Sequence, residues 1–121
     1  MKRKRVAFYT AETITVALST AEINGTLNKL IDSLTRPDLL IVDELGYLEL
    51  NKKTATLFFR LIAKRYEKGS CIITSNKPFE EWGHIFTDDV VASAILDRLL
   101  HHCHPFFIQG KSFRMKSFND N

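Results

Sequence analysis

The sequence predicts an α/β fold built around a mostly parallel sheet. Strand-like and helix-like segments alternate along the 121 residues, and this alternation is typical of parallel strands joined by helices. The run from Leu39 to Val42 is apolar at every position, as in a strand covered on both faces. Polar residues follow this strand and the next one, at the edge where α/β sheets bind ligands. The length allows one domain, residues 1–121.

Composition and charge exclude several classes of protein. Hydrophobic residues make up 45% of the chain and charged residues 26%, which is too apolar for a disordered protein. No apolar run approaches the roughly 18 residues that a membrane-spanning helix needs, so we expect a cytoplasmic protein without a membrane partner. Cys71 and Cys103 are far apart in the chain and are expected to stay reduced. The net charge of +3 is compatible with a nucleic-acid partner.

Short apolar runs and helical periodicity predict the element order β-α-α-β-α-β-α-β. The predicted strands are Val6–Tyr9, Leu39–Val42, Cys71–Thr74 and Phe106–Ile108. Helix caps are predicted at Thr10, at Asn51 and at either Thr87 or Asp88. Gly25 is predicted to break the first helical region, and Gly69 to end the helix that Asn51 begins.

Asp43 and Glu44 follow the apolar strand directly and form a Walker B pattern. Mg²⁺ prefers oxygen ligands and keeps several waters, so Asp43 is predicted to hold the ion through a water. Glu44 is then placed to polarise a water that attacks a phosphate. The alternative is a pair of solvated acids at the end of a strand. The wholly apolar strand before the acids and the Leu45-Gly46 pair after them disfavour this alternative.

Three further residues are candidates for phosphate chemistry. Asn76, after the Cys71–Thr74 strand, has an amide that can orient a water as a sensor 1 residue does; the alternative is a turn residue before Pro78. Arg98 can act as an arginine finger from a neighbouring subunit, or can form a salt bridge on a helix surface. Arg114 is either a second phosphate contact or a solvated arginine of the tail.

Two other patterns are interpreted as lacking a ligand. Gly110-Lys111-Ser112 matches the second half of a P-loop, but the residues before it read as a strand and too few follow to form a helix for the phosphates. His101, His102, Cys103 and His104 form a cluster, yet adjacent residues of a helix point in different directions and cannot converge on one ion.

The motifs together resemble the IstB-like family, the AAA+ ATPase helpers of bacterial transposition, which are similar to the helicase loader DnaC. The resemblance covers nearly the whole chain. The blocks that carry it are Asp38–Leu48, Leu57–Phe59, Arg65–Glu67, Thr74–Asn76, Phe79–Trp82, Ala94–His102 and Gly110–Arg114.

The resemblance implies a P-loop NTPase of AAA+ type, a three-layer sandwich that binds ATP and Mg²⁺. Asp43 and Glu44 match the Walker B acids, Asn76 matches sensor 1, Arg98 matches the arginine finger, and Arg114 matches a sensor 2-like arginine. The implied partners are DNA, a transposase, and further copies of the chain joined through the Arg98 face.

The chain departs from the family pattern at its beginning, because family members carry the P-loop strand and helix before this point. The expectation is therefore the C-terminal part of one AAA+ domain, lacking the P-loop strand and deficient in hydrolysis alone. One alternative is a non-catalytic module that binds DNA or a partner. Another is an unrelated magnesium-dependent phosphotransfer or nuclease domain, which Ser75-Asn76 disfavours because further carboxylates are needed there.

Overall fold

Three parallel strands and the helices that join them make up residues 4–66 and 68–102, the part of the chain that the structure, a computed structural model, describes. In chain order the elements are β1 (Val6–Thr10), α1 (Ala11–Asn24), α2 (Leu27–Thr35), β2 (Leu39–Leu45), α3 (Lys52–Arg65), β3 (Ser70–Ser75), a 3₁₀ turn (Phe79–Glu81), α4 (Trp82–Phe86) and α5 (Asp89–His102). The predicted strand Phe106–Ile108 lies outside the described residues.

The sheet has the order β1-β2-β3, with β2 in the middle. Leu40 and Val42 of β2 are fully buried under the helices. Ile41 lies on the opposite face, in one row with Phe8 of β1 and Ile72 of β3. The two faces of the sheet therefore differ, because one is packed into the core and the other carries exposed apolar side chains.

Local capping chemistry starts and stops the helices largely as predicted. The Thr10 hydroxyl accepts a hydrogen bond from the Thr13 backbone N–H at 3.1 Å, and Asn51 caps α3 in the same way. Gly25 ends α1 in the left-handed conformation, with φ of 73°. Of the two candidate caps for α5 it is Asp88 that accepts hydrogen bonds from the first turn.

The predicted end of α3 at Gly69 is wrong, because the helix ends at Arg65. The Arg65 side chain is 2% exposed and donates to the carbonyls of Leu34, Pro37 and Ser70 at 2.8–3.0 Å. A Cβ on Gly69 would lie 2.6 Å from the Arg65 Nη2 atom. Gly69 is therefore required for close approach to this guanidinium rather than as a helix stop.

The helices lie side by side on the packed face of the sheet. α3 packs against α1 and also against α5, and the core between them contains Phe58, which stacks on Phe86 at a centroid distance of 6.0 Å. Trp82 and Phe79 pack edge to face at 5.4 Å, as expected of packing residues. In the described ranges, none of the helices combines the length and apolarity that crossing a lipid bilayer requires.

Candidate functional site

The acidic pair predicted from the sequence lies at the carboxyl edge of the sheet, where Thr74 of β3 joins the two acids. The Thr74 hydroxyl donates a hydrogen bond to Asp43 Oδ1 and accepts one from the Glu44 backbone N–H at 3.0 Å. One side chain thus fixes the Asp43 carboxylate and the Glu44 backbone at once. These hydrogen bonds connect β2 and β3 at the carboxyl ends of the two strands, where their polar residues begin.

A β-bulge presents Glu44 to solvent. The register between β2 and β3 shifts between Val42 and Leu45, and Glu44 has a positive φ of 65°. A bulge inserts an extra residue and re-aims the side chains around it. Leu45 can then return to the core, where it is fully buried, while Glu44 is exposed. The strand therefore continues past the acids to Leu45, whereas the sequence predicted its end at Val42.

Gly46 brings Asn76 next to the loop that follows the acids. Its φ is 108°, and a Cβ at this position would lie 2.6 Å from Asn76 Oδ1 and 2.9 Å from Lys77 Cγ. Only a glycine combines this backbone conformation with so close an approach. Asn76 itself is exposed, so its amide stays available to a ligand at the same edge as Asp43 and Glu44.

A groove of about 340 Å³ lies beside the acidic pair, between α1 and the segment from Glu44 to Asn51. Tyr47 and Leu48 are in its lining and are 64% and 57% exposed. Asp43 and Asn76 do not line this groove. Glu44 therefore stands between two regions, the strand edge with its polar side chains and a partly apolar groove along α1.

The donors at the strand edge suit Mg²⁺ held in part by waters. Mg²⁺ in nucleotide sites is bound by one or two carboxylates together with substrate phosphates and several waters, and Asp43 supplies one such carboxylate. Within the described residues there is no group of three or more His, Cys, Asp or Glu side chains that could enclose a metal ion. The arrangement thus fits a water-mediated contact rather than a protein cage.

The structure brings three of the five predicted site residues together and separates a fourth. Asp43, Glu44 and Asn76 share the carboxyl edge, whereas Arg98 lies on α5, with its guanidinium carbon 5.0 Å from the Phe59 ring centroid and 5.9 Å from that of Tyr66. Tyr66 follows α3, just before β3 begins, so Arg98 is near the opposite edge of the sheet. Arg114 and the cluster 101–104 fall outside the described side chains.

Sequence reasoning missed Thr74 and Gly46 as parts of the site. The signal for Thr74 was a hydroxyl residue at the strand end, one position before Ser75-Asn76. The signal for Gly46 was a glycine two residues after Glu44. Neither signal predicts which residue Thr74 or Gly46 will contact, because both contacts join segments about 30 residues apart in the chain.

The fold is a P-loop NTPase fold of the AAA+ type. The described structure superposes on solved proteins of this class, and one of them is the DnaC helicase loader. That superposition has a TM-score of 0.61 and covers 78% of this chain and 58% of that chain, at 19% identity.

The family follows from the sequence comparison. The model of the family described as IstB-like ATP binding protein matches residues 2–120, and the chain belongs to this family. A protein named as an ATP-binding protein of insertion sequence IS21, from Pseudomonas aeruginosa, is 46% identical over 93% of this chain and 42% of its own length. A counterpart from insertion sequence IS5376 of Geobacillus stearothermophilus is 45% identical over 90% of this chain and 43% of its own length. The chain thus spans about two-fifths of these relatives.

Proposed function

We propose that this chain supplies the magnesium- and water-activating side of an ATP-hydrolysing site in a transposition helper. The observation that carries the proposal is Thr74, whose hydroxyl ties Asp43 to Glu44 across two strands. Two acids that served only as solvated surface residues would not require a hydroxyl that hydrogen-bonds to both of them. The chain belongs to a family described as ATP-binding, which supports a role for these acids beside a bound nucleotide.

Each residue then has a distinct role. Asp43 holds Mg²⁺ through a water, and the ion neutralises charge that develops on the phosphates. Glu44 accepts a proton from the attacking water, and its exposed carboxylate is free to do so. Asn76 orients that water through its amide. Thr74 is a positioning residue, because it contacts the acids rather than the reacting atoms.

Arg98 and Arg114 are proposed to act on the phosphates from outside this cluster. Arg98 is held on the Phe59 and Tyr66 rings of its own chain, near the opposite edge of the sheet from Asp43. A role as arginine finger therefore requires the nucleotide of a neighbouring subunit, so the proposal includes a homo-oligomer joined through the Arg98 face. Arg114 keeps its proposed role as a second phosphate contact.

Hydrolysis is tested with this chain alone and with a chimera that adds the part of the Pseudomonas aeruginosa relative outside the matched region. We expect the chimera to bind Mg-ATP and to hydrolyse it. Glu44→Gln in the chimera should lower kcat by roughly 10²- to 10⁴-fold, the usual contribution of a general base. Glu49→Gln is the matched control, because Glu49 is also exposed and lines the same groove.

Thr74 provides a second, sharper comparison in the chimera. Thr74→Val keeps the shape of the side chain and removes both hydrogen bonds, and it should lower kcat at saturating Mg²⁺. Thr74→Ser keeps the hydroxyl and should restore most of the activity. If Glu44→Gln hydrolyses ATP as fast as Glu49→Gln, the assignment of the acids is wrong.

The proposed partners are DNA and a transposase, consistent with insertion-sequence relatives. Binding through phosphates weakens steeply with added salt. We therefore expect duplex DNA binding by the chimera to fall between 50 and about 200 mM salt and to weaken when residues 2–5 are replaced by neutral residues. Salt-independent binding would exclude the phosphate contacts.

A further inference from the structure

The side chain of Arg98 lies on an aromatic shelf formed by the rings of Phe59 and Tyr66. Its guanidinium carbon is 5.0 Å from the centroid of the Phe59 ring and 5.9 Å from that of the Tyr66 ring. Phe59 and Tyr66 are about two helical turns apart, so they share one side of α3 and its C-cap. Because α5 packs against α3, the arginine of one helix is brought over the rings of the other.

The aromatic shelf restrains Arg98 without using its hydrogen-bond donors. A ring contacts the flat face of a guanidinium, whereas the N–H donors lie in the guanidinium plane. Within residues 4–66 and 68–102, guanidinium hydrogen bonds are made by Arg5, Arg60 and Arg65, and the ion pairs are made by lysines. No residue three or four positions from Arg98 in the sequence is acidic, so α5 offers no carboxylate at the spacing that ion pairs use.

Arg65, the residue before Tyr66, shows how the same fold uses a structural arginine. It is 2% exposed, and its N–H groups donate to backbone carbonyls at 2.8–3.3 Å. Arg98 is half-buried and is held by rings that neither neutralise its charge nor occupy its donors. An arginine that only joined α5 to α3 would gain more from acceptors of the kind that Arg65 has. The contacts of Arg98 instead suit a guanidinium that binds an anion from another molecule.

We propose that Phe59, assisted by Tyr66, is a positioning residue that orients Arg98 toward the phosphates of a neighbouring copy's nucleotide. The inference rests on the role proposed for Arg98 above. An arginine side chain loses rotamer freedom when it is immobilised on a ligand. Stacking on the aromatic shelf removes part of that freedom before the nucleotide is met, so less is lost when the transition state forms. Phe59 contributes more than Tyr66, because its ring is closer to the guanidinium.

Kinetics of the chimera test the role of Phe59. Phe59→Leu keeps an apolar side chain and removes the ring, and a cation–π contact corresponds to roughly 3- to 30-fold in rate. We therefore expect kcat to fall by that factor, with the KM for Mg-ATP changed by less than about twofold. Phe59→Tyr keeps the ring and should restore most of kcat. A fall of less than about threefold for Phe59→Leu, or no restoration by Phe59→Tyr, overturns the proposal.

Phe58→Leu is the matched control for packing. It removes a ring from the same helix, but Phe58 stacks on Phe86 and not on Arg98. It should lower stability and leave the kcat of the folded protein within about twofold of the unsubstituted chimera. A fall in kcat equal to that of Phe59→Leu would mean that any loss of packing in α3 lowers the rate, which overturns the specific role of Phe59.

Arg98→Ala separates positioning from a general effect on the fold. Phe59→Leu should lower kcat no further once Arg98 is alanine, because the ring then has nothing to orient. A further fall in the double variant overturns the proposal. If Arg98→Ala leaves kcat unchanged, the proposed function of Arg98 fails and this inference fails with it. If Arg98→Ala lowers kcat and Phe59→Leu does not, only the inference about Phe59 fails.

A double-mutant cycle in the chain itself measures the contact without ATP hydrolysis. Arg98→Met keeps a long side chain and removes the guanidinium. Urea unfolding of the unsubstituted chain, Phe59→Leu, Arg98→Met and the double variant should show coupling of at least about threefold in the equilibrium constant for unfolding. Additive effects would show that the guanidinium gains nothing from the ring, and would overturn the proposal.

Discussion

Gly46→Ala is the substitution that most directly tests how the site is assembled. The new Cβ would lie 2.6 Å from Asn76 Oδ1 and 2.9 Å from Lys77 Cγ, and the backbone φ of 108° is unfavourable for any residue with a side chain. The contact with Lys77 involves a flexible side chain. The contact with Asn76 involves a proposed site residue, so relieving it must move either Asn76 or the loop after the acids.

The expected magnitude has two parts. Backbone strain at positive φ costs roughly 1–3 kcal/mol, and forcing an extra methyl into a close contact costs roughly 1–3 kcal/mol. The sum is a large fraction of the roughly 5–15 kcal/mol that stabilises a domain. Gly25→Ala is the matched control, because Gly25 has φ of 73° and a Cβ added there would meet nothing within 4 Å; strain alone predicts a loss of about 1–2 kcal/mol.

Urea unfolding followed by circular dichroism measures both losses. The decisive comparison repeats Gly46→Ala in an Asn76→Ala background, where the contact with Oδ1 no longer exists. We expect the loss there to be smaller by about 1 kcal/mol or more, since the contact with Asn76 disappears while the backbone strain and the contacts with Lys77 and Ile85 remain. An equal loss in the two backgrounds, or a loss at Gly46 no larger than at Gly25, would refute the close approach of Gly46 and Asn76.

Three further predictions concern the rest of the fold. Arg65→Met should lower the free energy of unfolding by roughly 3–5 kcal/mol in urea, because it leaves buried carbonyls without a donor; a loss under 1 kcal/mol would contradict this role. Burial raises the pKa of the Cys71 thiol, with Arg65 opposing the shift. Iodoacetamide should therefore label Cys71 at pH 8 far more slowly in the folded Cys103→Ser chain than in urea, and stability should fall as pH rises from the ordinary thiol value toward the folded one; equal labelling rates would exclude the shift. The Lys53 amino group lies 2.6 Å from the Glu22 carboxylate, but the Lys53 side chain is 72% exposed and that of Glu22 29%. Lys53→Met should therefore change stability by at most about 1 kcal/mol, a limit checked by unfolding at low and high salt.

The sequence determined the features that depend on neighbours along the chain. The apolar run Leu39–Val42 predicted the central strand, and Asn51 predicted the start of α3, because burial patterns and caps involve residues only a few positions apart. The acidic pair after that strand was equally visible, since strand order places polar residues at the carboxyl edge. Family membership followed from the same local motifs and is confirmed.

The tertiary structure decided which distant residues meet. The bulge that carries the strand past Asp43, the Thr74 hydroxyl that joins the acids, and the place of Arg98 on the Phe59 ring all depend on contacts between separate elements. Gly69 is an example of this difference between local and tertiary information. A glycine after a helical segment predicts the end of the helix, whereas in the structure Gly69 leaves room for the side chain of the buried Arg65. Local spacing specifies periodicity and caps, whereas packing across the sheet selects the partners that each side chain meets.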